Sequence, residues 1–167
     1  MAGATHRDAG SILVSVWEIR EPGRACSGSL PWCRRHVPRF YAELTVWEHL
    51  QFIALAHRAE AGFAQRAEVL LQEFGLWEAR QLYPHALSRG MRLKLGLLLA
   101  LIRPFHVLLL DEPQSALDTR STDILRQKLA ELRAQGAAIL LTTHAPELVR
   151  GLAHRTWTIQ RGILTCD

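Results

Sequence analysis

An α/β fold built on a parallel sheet is the architecture that this sequence predicts, from two observations. Two short β-prone apolar runs, Val107–Leu110 and Ala138–Thr142, read as buried strands. Between them lies a long segment of helical periodicity, and strands that alternate with helices form parallel sheets covered by helices. The 167 residues suit one domain with a sizeable core, and 49% apolar content with mean hydropathy near zero excludes a disordered chain. The longest uninterrupted apolar stretch, Leu97–Ile102, is too short to cross a bilayer. Residues 1–10 are polar and small, which is no secretion signal.

In chain order, Ser11–Val16 reads as a strand, after which Pro22, Gly23, Gly28, Pro31 and Pro38 keep the chain irregular to Arg39. Thr45 and Glu48 form a T-x-x-E capping box that opens a helix, with Trp47, Leu50, Phe52 and Ile53 supplying its apolar surface. A second helix runs from about Phe63 to Phe74 and stops at Gly75. Ser88 caps a third, whose stretch Leu93–Ile102 is apolar all round, as in a fully buried helix. After the strand at 107–110 comes a helix from about Arg120 to Gln135, with Ile124, Leu125, Leu129 and Leu132 on one side and Gly136 as its stop. The strand at 138–142 is next, then a closing hairpin that turns at Arg161–Gly162.

Charge discriminates little. The net charge is +4, only Lys94 and Lys128 are lysines, and the arginines are scattered apart from Arg34, Arg35 and Arg39, which reads as a solvated surface. Cys26, Cys33 and Cys166 form no C-x-x-C pair; they argue against a zinc site and fit a reducing cytoplasm.

Asp111 and Glu112 stand just past one strand, and Thr142, Thr143 and His144 just past the other. Ligands of open parallel sheets bind beyond the carboxyl ends of the strands. Two such strands side by side bring a carboxylate pair and an imidazole to one edge, an arrangement suited to a metal-bound phosphate and a water to be activated. An apolar strand that delivers an acid to its tip is how nucleotide hydrolases hold magnesium, while the next carboxylate serves as general base. By itself the fragment also reads as a strand that ends in a solvated turn.

The surrounding motifs decide between these readings. DEPQSALD at 111–118 resembles the Walker B acid, adjacent glutamate and D-loop of ATP-binding cassette (ABC) ATPases. His144 in LLTTH falls where that family carries its switch histidine, LSRGM at 87–91 resembles its LSGGQ signature, and FYAELTVWEHL at 40–50 looks like the segment after its Q-loop. The resemblance covers the chain from Phe40 onward. It implies a P-loop NTPase-like sheet with an inserted helical subdomain: 1–39 a remnant, 45–103 the helical and signature part, and 104–167 the Walker B, D-loop and switch region. It implies ATP and Mg2+, with Asp111 on the metal, Glu112 as catalytic base and His144 on the γ-phosphate and attacking water. Ser88 and Gly90 would offer a hydroxyl and amides to a phosphate held by a partner subunit, and Asp118 would form the D-loop contact across a dimer.

Departures from the family pattern matter as much. No G-x-x-x-x-G-K-[ST] exists in the chain: neither lysine comes directly after glycine, and both lie downstream of where that loop belongs. AGSILV at 9–14 looks like the family segment that comes after the loop and its helix, so the first strand and phosphate-loop helix are expected to be missing. Arg89 and Met91 replace the usual glycine and glutamine of the signature, as in exporter-type members, and no glutamine stands near His36–Arg39, where the Q-loop belongs. The resemblance therefore implies an ATP-binding subunit of an ABC transporter, cytoplasmic and peripheral on the inner membrane face, whose hydrolysis is impaired alone. Its partners would be transmembrane permease subunits and a second ABC ATPase subunit, with no nucleic acid. Two alternatives stay open: a non-catalytic partner that donates its signature to a complete subunit, and a soluble relative acting in translation or DNA repair.

Overall fold

The computed structural model describes the backbone of residues 13–14, 17–18 and 32–33, and the chain from 40 to 166. Arg34, Arg35, His36, Arg39 and Cys26 lie outside the described residues, as does the Q-loop position. The expected strand at 11–16 appears as β1 (Leu13–Val14), antiparallel to β2 (Trp17–Glu18). The stretch expected to be irregular up to Arg39 also holds β3 (Trp32–Cys33).

Three helices form one side of the core. α1 (Val46–Ala56) opens as its sequence demands: the Glu48 amide donates to Thr45 Oγ1 at 3.3 Å, and the Thr45 amide donates to the Glu48 carboxylate at 2.7 Å. The helix buries Val46, Leu50 and Ala54, one residue per turn. Phe52, expected on that apolar surface, is 44% exposed, because two residues past Leu50 is the opposite side of a helix. There it meets Tyr41 edge-on, with ring centres 5.4 Å apart. Thr45→Ala removes one side of the capping box and is expected to destabilise the chain by about 1 kcal/mol in urea unfolding. An unchanged midpoint would show that α1 is held by packing alone.

α2 (Phe63–Glu73) ends where Gly75 turns left-handed at φ 69°, and α3 (Arg89–Leu101) starts at Ser88, whose hydroxyl accepts the Met91 amide at 3.2 Å. The apolar stretch of α3 is buried at Leu95, Leu97, Leu98, Ala100 and Ile102, but only half-buried at Leu93, Leu99 and Leu101. His49, a polar residue on the buried side of α1, has both ring nitrogens satisfied. One lies 2.7 Å from the Thr45 carbonyl, and the other accepts the Tyr41 amide at 3.0 Å.

The sheet is parallel, in the order β3, β4 (Val107–Asp111), β5 (Ala138–Thr142). β4 and β5 are joined by α4 (Thr119–Ala134), which buries Leu125 and Leu129 against the core. Asp111 is in register with Thr142, so the two strands end level. β5 was expected to be buried, and this is corrected: Leu140 is 54% exposed, because among the described residues β5 is the edge of the sheet and only alternate residues face inward. The closing hairpin, β6 (Trp157–Gln160) and β7 (Ile163–Cys166), turns through Arg161 and Gly162 at φ 50° and 79°.

Candidate functional site

The site lies where β4 and β5 end side by side. Glu112, the first residue past β4, adopts left-handed backbone (φ 48°), unusual for a residue with a side chain and the kind of strain that collects at functional sites. Its amide donates to the Thr142 carbonyl at 3.1 Å and to the Thr142 hydroxyl at 3.2 Å, which holds the chain in that turn. The reversal swings the Glu112 side chain back over the tip of β5. There its carboxylate lies 3.1 Å from His144 Nε2 and 3.4 Å from the His144 amide, with Glu112 only 8% exposed and the imidazole open to solvent.

Asp111, still on the strand, accepts the Thr142 hydroxyl at 2.5 Å. Asp111, Glu112 and His144 are thus gathered at one edge, and a carboxylate–imidazole pair beside a second, more accessible acid can hold and orient a water. No group of three or more metal-ligating side chains occurs among the described residues. A cation there would complete its shell with water and ligand oxygens.

Ser88 and Gly90 sit at the first turn of α3, with Ser88 exposed. No hydrogen bond or ion pair among the described residues joins them to the strand-tip cluster. Asp118 is placed otherwise than a free carboxylate: one oxygen caps α4 through the Ser121 amide at 2.7 Å, and the other accepts Lys94 Nζ at 2.8 Å. Lys94, with the Ser121 amide and hydroxyl, holds the Asp118 carboxyl well below the usual carboxylate range. Lys94 also donates to the Phe74 carbonyl at 3.2 Å, so one side chain ties α2, α3 and the start of α4 together.

No motif marks Gln114 or Lys94 for a task at the site, and in the sequence Thr142 and Thr143 are only the residues that precede His144. Their roles are tertiary contacts, and only the Q in DEPQSALD and the polar T-T before His144 hint at them in sequence.

Residues 45–150 match the family model described as AAA domain, putative AbiEii toxin, Type IV TA system. The chain is 38% identical over 128 residues to the uncharacterized ABC transporter ATP-binding protein YthP of Bacillus subtilis, covering 76% of this chain and 54% of that protein. It is 34% identical over 173 residues to the Nod factor export ATP-binding protein I of Burkholderia pseudomallei, covering 97% and 53%. The chain spans about half the length of these curated relatives. A solved ATP-binding subunit of an ABC transporter superposes with a TM-score of 0.81 at 27% identity, over 93% of this chain and 65% of that one.

Proposed function

We propose a function from one premise: the chain belongs to the ATP-binding cassette ATPase family, of which residues 1–167 span a part. It acts as the ATP-binding subunit of an ABC transporter and couples ATP binding and hydrolysis to transport. Residues 45–103 form its signature-bearing helical subdomain, and 104–167 the hydrolytic part of its nucleotide site. The observation that carries this reading is the Glu112–His144 pair, 3.1 Å apart across two parallel strand tips beside Asp111.

The donor chemistry at Asp111 fits magnesium, which takes one or two carboxylates and fills its octahedron with water and phosphate oxygens. When bound, the ion neutralises charge on the triphosphate. Glu112 accepts the proton of the attacking water, and His144 reaches toward the γ-phosphate and that water. Asp118 contributes to a dimer contact by holding its loop through Lys94 and Ser121, since both its oxygens are engaged.

The grip on the β- and γ-phosphates comes from outside residues 1–167, which contain no G-x-x-x-x-G-K-[ST]. Exposed Leu140 on β5 supports further structure packing against the sheet, and exposed Trp157, Ile159, Ile163 and Leu164 support the same for the hairpin. Tyr41, Phe52 and Leu55 form an exposed apolar patch near α1, which we assign to the membrane-spanning permease. No helix among the described residues is long and apolar enough to cross a membrane.

Residues 1–167 alone are expected to bind ATP weakly, because each missing charge-assisted hydrogen bond is worth about 1.5–3 kcal/mol. A chimera that places the phosphate-loop segment of a family relative ahead of residues 1–167 is expected to hydrolyse ATP in a magnesium-dependent way. A folded chimera that binds ATP without hydrolysing it overturns the reading.

A second reading is favoured by the exposed Ser88 at the N-terminus of α3: this chain completes the site of another subunit by presenting its signature. Mixing it with a family subunit that has its own phosphate loop is then expected to raise hydrolysis above the sum of the two, and Ser88→Ala to remove the gain. No gain on mixing eliminates this second reading.

A further inference from the structure

We propose that Gln114 is the positioning residue that fixes the Glu112 carboxylate against His144, an assignment that rests on the hydrolytic role proposed for Glu112. His144 cannot serve as the anchor of this pair, since its side chain is 83% exposed. Two partly buried donors address Glu112 Oε2: the His144 backbone amide at 3.4 Å and, nearer, Gln114, whose Nε2 donates to it at 2.9 Å and to Thr143 Oγ1 at 2.7 Å. One amide nitrogen has two hydrogens, and each has an acceptor. Thr143 Oγ1 also accepts the Ala145 amide at 2.9 Å and gives its own proton to the Ala145 carbonyl at 3.2 Å, so it is left to accept from Gln114.

The orientation of the amide is forced. Flipped, it would set its carbonyl oxygen against a carboxylate. Unflipped, it leaves Gln114 Oε1 buried without a hydrogen-bond partner, an arrangement folded proteins normally avoid. The chain tolerates that orphan because the nitrogen is needed by the charged group. Pro113 opens the short 3-10 turn Pro113–Ala116 and sets the direction from which Gln114 reaches back. Gln114 thereby clips the turn after β4 to the tip of β5 and keeps the carboxylate in place independently of the exposed imidazole.

The clip is measurable without nucleotide, by 13C relaxation of the Glu112 Cγ methylene in the full 167-residue chain. Gln114→Leu, of similar volume and with no amide, is expected to drop its order parameter from well above about 0.6 to below it, the flexible range, with backbone order at 107–118 unchanged. Thr143→Val removes the far anchor together with the local bonds from Thr143 to Ala145, leaves the Gln114–Glu112 bond in place and is expected to give a smaller drop; it decides the matter if Gln114→Leu does not fold. A Glu112 side chain that stays as ordered in the variants overturns the proposal. So does a loss of order shared equally by the backbone, which would make Gln114 a structural prop. Failure of the chimera to hydrolyse ATP would refute the proposed function and leave this result standing.

Discussion

Glu112→Gln is expected to lower magnesium-dependent ATP hydrolysis by the chimera about 10²–10⁴-fold, the usual contribution of a positioned general base, while ATP affinity changes little. The substitution keeps the shape of the side chain but removes its basicity. It also leaves one acceptor oxygen for the His144 and Gln114 donors that both address the carboxylate in the native chain. Steady-state kinetics separates the effects: kcat falls and KM stays. A loss smaller than about tenfold would mean that the attacking water is activated elsewhere. In the mixing experiment the same substitution is expected to leave the gain intact, since there the chain contributes Ser88 and the partner its own base. The pair of results therefore tells which of the two sites this chain serves.

Phe74→Ala is expected to destabilise the chain by about 3–5 kcal/mol in urea unfolding, the range for truncating a buried phenylalanine. Phe74 is the largest fully buried side chain among the described residues, at the end of α2, where it packs in the same core as Leu50, Leu71 and Leu98. Its loss opens a cavity that the helices can close only in part. The Phe74 carbonyl is also one of the two acceptors of Lys94, so the damage is expected to reach the loop that Asp118 holds. A change below about 1 kcal/mol would show that this helical part contributes little to the stability of the whole.

Much of this molecule was legible in its sequence because the information was local. The capping box at Thr45 and Glu48, the Ser88 cap and the glycines at 75, 136 and 162 specify where helices and turns begin and end, and each lies within a few residues of what it controls. The apolar runs at 107–110 and 138–142 specify strands, and their register delivers Asp111, Glu112 and His144 to one edge. Less was legible where burial depends on what else is present. The run at 138–142 reads as a buried strand, yet among the described residues β5 is an edge with Leu140 exposed, because the pattern records what a strand is suited to and not which neighbours it has.

From Thr45 onward, the order of helices and strands and the acids and histidine at the strand tips were thus determined by sequence alone, through periodicity and motif spacing. Only the tertiary structure decided that Glu112 turns back through a left-handed residue onto His144, that Gln114 clips it to Thr143, and that Asp118 spends its carboxylate on Lys94 and Ser121. Except for the local Ser121 cap, these contacts join residues up to 32 positions apart. They exist because two strands in register and three packed helices hold those side chains within hydrogen-bond reach, a condition that no local pattern encodes.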